Sequence, residues 1–133
     1  MSKSDTLSIS IPVSMSKIHN TLISGFEGGA NYWLREDDLV EGFRKPDSKL
    51  VWYGHEEVFR QPFKAKLRFD DPKKDEGNGA AVREITNKDL QRGLELMATK
   101  APQHFSDMVT DQGDSTTGDV LLQMIVLGDI VYG

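Results

Sequence analysis

The sequence predicts one α+β domain spanning residues 1–133. Three observations predict it. A period-two apolar run opens the chain, and two further short runs flank a turn-rich middle. Elsewhere apolar residues recur at helical three-and-four spacing, ending in the nearly unbroken run 120–127. The expected order is an N-terminal strand and helix, a small antiparallel sheet, and C-terminal helices packed on it.

Leu7, Ile9, Ile11 and Val13 alternate with Ser8, Ser10 and Pro12, the pattern of a strand with one buried face. Pro12 has no N–H for a ladder, so that strand lies at an edge or ends there. Ser14 or Ser16 then caps a helix. Met15, Ile18, Leu22, Gly25, Phe26, Gly29 and Trp33 share one side of it. Gly25 and Gly29, four apart on that side, allow a neighbouring backbone to come close. The glycines between 25 and 29 each cost helix stability, about 1 kcal/mol relative to alanine. Tertiary contact is expected to offset that cost and carry the helix to Trp33.

Arg35 to Asp47 is charged, contains Gly42 and Pro46, and reads as a loop with one short helical turn. Leu50–Tyr53 and Glu57–Phe59 read as short strands. Phe63, Ala65, Leu67 and Phe69 alternate with Lys64, Lys66 and Arg68, and Ala80 to Ile85 reads as the return strand of a hairpin whose turn is 70–79. Thr86 caps the next helix, with Asp89 at the capping-box position and Ile85 with Leu90 as a hydrophobic staple. Leu90, Leu94, Met97 and Ala101 form its buried stripe. Pro102 ends or kinks it, Phe105, Met108 and Val109 continue as a second helical segment, and Gly113 closes that.

Val120 to Leu127 holds a single polar residue, Gln123. A helix apolar nearly all round belongs inside a domain or an oligomer. It is far too short to span a membrane, which takes about 20 apolar residues. Asp114, Ser115 and Thr117 suit its N-cap, and Asp119 suits a first turn. So apolar a segment, with Ile130, Val131 and Tyr132 after it, leads to the expectation of a homo-oligomer.

Composition narrows the function classes. The absence of cysteine removes disulfides, thiol nucleophiles and thiolate metal sites. No apolar stretch follows Met1 as in a secretory signal, which points to the cytoplasm. Net charge is −5, and the longest basic tracts are the pairs Arg44-Lys45 and Lys73-Lys74. A nucleic-acid binder gathers a basic excess on one face, so direct binding to DNA or RNA is disfavoured. An acidic surface suits docking onto a basic protein, although it also serves solubility.

The richest candidate for a site is Glu27-Gly28-Gly29-Ala30-Asn31-Tyr32-Trp33. Asn20, Ser24, Glu27 and Asn31 fall on one polar stripe, the glycines let a ligand approach the backbone, and Tyr32 or Trp33 could stack on a planar ring. That combination suits a nucleotide-like small molecule bound by Glu27, Asn31, Tyr32 and Trp33. The same residues also read as core packing beside a solvated stripe. Trp52, Tyr53 and Tyr132 are candidate interface residues, since Trp and Tyr dominate interface hot spots.

No catalytic residue, metal site or cofactor is assigned. The acidic clusters Glu36-Asp37-Asp38 and Asp70-Asp71 with Asp75-Glu76 lack calcium-loop spacing. His19, His55 and His104 have no helical ligand spacing. There is no phosphate-binding loop and no nucleophile elbow.

Three phrases carry a resemblance. They are Phe26 through Trp33, Leu94-Glu95-Leu96-Met97 ahead of Pro102-Gln103-His104-Phe105, and Gly118 through Gln123 with Gly128 through Gly133. Together they cover about half of the chain, and in them it resembles a family of small, mostly uncharacterised bacteriophage proteins. The resemblance implies an accessory protein made in the host cytoplasm. Such a protein acts by stoichiometric binding, modulating a host process or host defence through contact with a host protein, or sequestering a nucleotide-derived signal. It implies no activity.

Overall fold

A computed structural model describes residues 5–71 and 80–133. The expected turn at 70–79 lies, from 72 onward, outside the described residues. The fold is α+β, with a three-stranded antiparallel sheet in the order β1 (Leu34–Glu41), β2 (Lys64–Asp70) and β3 (Ala80–Thr86). Helices α1 (Met15–Ser24), α2 (Glu57–Arg60), α3 (Asn87–Lys100), α4 (Pro102–Val109) and α5 (Ser115–Val126) accompany it.

Helix α5 is the centre. Asp114 starts it, its carboxylate accepting from the backbone N–H groups of Thr116 and Thr117 at 3.0 and 3.2 Å, which satisfies donors the first turn leaves open. Every residue from Thr117 to Val126 is buried, because α1, α3, α4, β3 and the turn after α1 all pack around it. The chain thus covers its most apolar helix by itself, and α5 leaves no face for the symmetric interface its composition led one to expect. Gly128 ends the helix at φ +76°, its N–H donating back to the carbonyls of Gln123 and Met124 at 3.0 and 3.2 Å. Arg83 of β3 donates to the Ile125 and Val126 carbonyls, a cation at the negative end of the dipole. Asp89 pairs with that Arg83 at 2.6 Å and accepts from the Thr86 N–H at 2.9 Å, so the capping box of α3 also holds the end of α5.

The apolar stripe of α1 continues beyond Ser24, but as a wider π-helical turn, Gly25–Gly29, and the chain turns away before Trp33. Here the close backbone approach is realised. A Cβ on Gly25 would lie 2.7 Å from the Gly118 carbonyl oxygen, one on Gly118 2.3 Å from the Gly25 nitrogen, and one on Gly29 2.0 Å from the Ser115 carbonyl oxygen. The π turn and α5 therefore meet backbone to backbone, which only glycine allows.

Four local expectations are overturned. Residues 6–14 form no strand and no other regular element, and Leu7, Ile9 and Ile11 are exposed. The charged stretch from 34 to 41 is not a loop but strand β1, paired with β2 through two register shifts. Trp52–Gly54 and Glu57–Arg60 are short helical turns rather than strands. Asp119 sits beyond the first turn of α5 and is buried, so it serves no dipole at the surface. The hairpin of β2 and β3 and the staple of Ile85 and Leu90, both buried, are as expected.

The sheet turns Leu34, Leu39, Ala65, Leu67, Phe69 and Ile85 inward to the core. On its outer face Glu36 stands opposite Arg68, and Asp38 and Glu84 flank Lys66. Opposite charges across strands contribute a few tenths of a kcal/mol to about 1 kcal/mol each. Among the described residues no helix is long and apolar enough to cross a membrane.

Candidate functional site

Except for the exposed Asn31, the candidate ligand and interface residues fall into two hydrogen-bonded clusters. In the first, Trp33 is fully buried and its indole Nε1 donates to Asp119 Oδ1 at 2.7 Å, while the Tyr32 hydroxyl donates to Oδ2 at 2.6 Å. Gln123, one turn along, donates to Asp119 at 3.0 Å. Its amide oxygen accepts from the N–H groups of Val131 and Tyr132 at 2.7 and 2.9 Å, so a side chain takes the place of a neighbouring strand for the C-terminal segment. Tyr132 stacks on Trp33 with ring centres 5.9 Å apart, and its hydroxyl donates to the Asp70 carbonyl at 2.8 Å. Burial and the Asp119 carboxylate push Tyr32 up to about 12, and burial raises Tyr132.

The second cluster joins Glu27, Trp52 and Tyr53. Tyr53 stacks on Phe26 at 4.6 Å, and its hydroxyl donates to Glu27 Oε2 at 3.0 Å. Trp52 Nε1 donates to Asp37 Oδ1 at 2.7 Å. Burial, with help from Glu27, holds the Tyr53 hydroxyl well above the ordinary tyrosine value. Burial also raises the Asp37 carboxyl, against the opposing pull of the Trp52 hydrogen bond.

The four proposed ligand residues are therefore not gathered on one surface. Trp33 has no exposed face on which a ring could stack, and the Tyr32 and Glu27 groups are engaged in opposite clusters. Asn31 is exposed, at 3.4 Å from the Glu27 carbonyl. Gly29 is closed against the Ser115 carbonyl, so no ligand reaches the backbone there, while Gly28 is open. Trp52, Tyr53 and Tyr132 make their main contacts within the fold.

Ser48 and His55 form a pair, Oγ to Nε2 at 2.7 Å, the distance a nucleophile and its base would have. A catalytic His also needs a third group to fix its tautomer, and among the described residues no carboxylate is hydrogen-bonded to His55. Ser48 Oγ accepts from the Leu50 N–H at 3.1 Å, as in an ordinary serine turn. Among the described residues no three metal-binding side chains cluster.

Among the described residues a larger open concave surface lies elsewhere. Helix α3 carries two stripes at i, i+4 spacing, Leu90-Leu94-Ala98 and Asn87-Gln91-Glu95-Thr99. Both line a groove of about 740 Å³. Met15 and Ile18 of α1, Phe59 of α2 and Phe105 of α4 complete its apolar lining, and Ile9 to Val13 form its far wall. Glu95 is the single charged residue in it. A smaller polar cleft of about 180 Å³ lies between α1 and the α4–α5 connection, where Lys17 donates to the Val109 carbonyl and to Asp111. Its volume is below the about 300–1,000 Å³ of small-molecule sites.

The groove has no local signature, since the spacing of Leu94 is that of a buried helical stripe and the alternation of residues 7–13 that of a sheet strand. A hint is present in that alternating run, which has no obvious strand to pair with. Comparison with protein-family models, with curated proteins and with solved structures finds no match to this chain.

Proposed function

We propose that this is a non-enzymatic binding protein that works by protein–protein contact, with the α3 groove as the surface that receives an extended apolar segment. One observation carries the reading. Apolar side chains line an open groove whose wall leaves Ile9 81% and Ile11 56% exposed, surface that a domain with a closed core leaves to a partner. The paired stripes of α3 suit such a segment, offering an apolar track beside donors and acceptors at Gln91, Glu95 and Thr99. The resemblance to small bacteriophage proteins makes a host protein in the host cytoplasm the expected partner.

The test is a photo-crosslinking residue at Gln91 in cells making the protein. The expected result is one protein cross-linked through an apolar segment, lost on Ala98→Glu. Catalytic turnover of a substrate by the purified protein overturns the reading. The groove volume also falls within the small-molecule range, which favours an apolar small ligand as the second reading over the nucleotide-like one. A co-purifying small mass in native mass spectrometry identifies that case.

A further inference from the structure

We propose that the resting occupant of the groove is the N-terminal arm of a second copy of this chain, so that the free protein is a dimer with reciprocally exchanged arms. The proposal rests on the groove being a docking surface for protein. Partner binding then has to displace an arm, which makes dimerisation a brake on the site.

The arm, Asp5 to Val13, is built to be buried, yet only Val13 at its inner end is partly covered. Its alternation of Leu7, Ile9, Ile11 and Val13 with serines is that of a strand with one apolar face, yet Leu7 is 97% exposed. In its own chain the arm supplies a wall of the groove and leaves the groove open. An arm from another copy has the chemistry that fits, with apolar side chains for the Leu90-Leu94-Ala98 track and Ser8 and Ser10 for the polar track. From Thr6 to Ser14 it carries no charge, so apart from Asp5 at its tip nothing on it repels Glu95.

Reach and size agree. Nine extended residues span roughly 30 Å, enough to cross to a neighbouring small domain. Pro12 fixes its φ near −65° and keeps the arm extended where it leaves α1. Nine arm residues and the eleven groove residues outside the arm give twenty on each copy, at the lower end of the about 20–30 per side of a standard stable interface. Exchange by a two-fold axis closes the assembly at two copies.

Analytical ultracentrifugation of the full chain tests this. The expected result is a wild-type dimer that weakens about 100-fold in an arm variant, Leu7→Asp with Ile9→Asp, at positions too exposed to disturb folding. The groove variant Ala98→Glu should weaken it similarly, with Thr99→Arg at an exposed position as the replacement should the first not fold. Mixing arm and groove variants should restore association, because one arm and one groove remain intact. A dimer unaffected by the arm variant overturns the proposal. A monomeric wild type that still cross-links through Gln91 overturns arm exchange and leaves the docking reading standing. A monomer that cross-links to nothing removes both.

Discussion

Trp33 and Asp119, 86 residues apart in the chain, meet in the core with indole Nε1 2.7 Å from carboxylate Oδ1. The bond joins the exit of the π turn to the second turn of α5. The carboxylate is shared with Tyr32 and Gln123, so three donors surround one buried acceptor. Removing it leaves the indole N–H without a partner inside the protein. Asp119→Ala is expected to lower stability by about 3 kcal/mol, read as a fall in the urea midpoint. Asp119→Asn keeps one acceptor and should cost less.

The glycines separate two kinds of site. Gly118→Ala drives a methyl into the Gly25 backbone, which cannot yield as a side chain could. A loss of about 3 kcal/mol is expected, at the upper end for overpacking. A Cβ at Gly28 meets nothing within 4 Å. Gly28→Ala should therefore stabilise the protein by about 0.5 kcal/mol through the unfolded chain. Thermal unfolding of the two variants should move in opposite directions.

The protein's three tyrosines all titrate above their ordinary value, Tyr32 at about 12. Each is neutral when folded, and the hydroxyls of Tyr32 and Tyr53 donate to carboxylates. A raised folded value means that the stabilisation is complete below pH about 10 and lost as pH climbs through the folded values. Ultraviolet titration at rising pH should show little phenolate near pH 10 and a late rise. In denaturant the same rise should fall back to the ordinary tyrosine value. A titration near pH 10 in the folded protein would contradict these contacts.

Gln123 fastens the segment after α5. Gln123→Met keeps the volume and apolar packing but loses the acceptor for Val131 and Tyr132 and the donor for the Tyr132 carbonyl, 3.1 Å away. The expected result is loss of hydrogen-exchange protection at the amides of Val131 and Tyr132. About 2 kcal/mol of stability should go with it, roughly 1 kcal/mol for each amide bond lost.

Much of the fold was written in local signals. Thr86 with Asp89, Asp114 before α5, and the alternation of β2 all act over a few residues, and each formed where expected. The paired glycines at 25 and 29 announced a close backbone contact without naming its partner. Strand β1 was illegible because its two register shifts break the period-two pattern, leaving Leu34 and Leu39 buried five residues apart amid charge. The segments near Trp52 and Phe59 are too short for periodicity to separate turn from strand. The role of Asp119 is illegible for another reason: Tyr32 and Trp33, two of its three donors, lie far away in sequence, where no local pattern can show them. The groove combines both difficulties, since its two sides come from residues 9–13 and 87–99.

The central position of α5 also sets an order in time. Gly25 leaves the ribosome long before Gly118, its counterpart across the close backbone contact. At about 5–20 residues per second, that interval is roughly 5–20 s. Through it, the Gly25–Gly29 turn and the side of α1 that packs on α5 lack the helix that covers them. Closing of the core around α5 therefore waits until that helix has emerged.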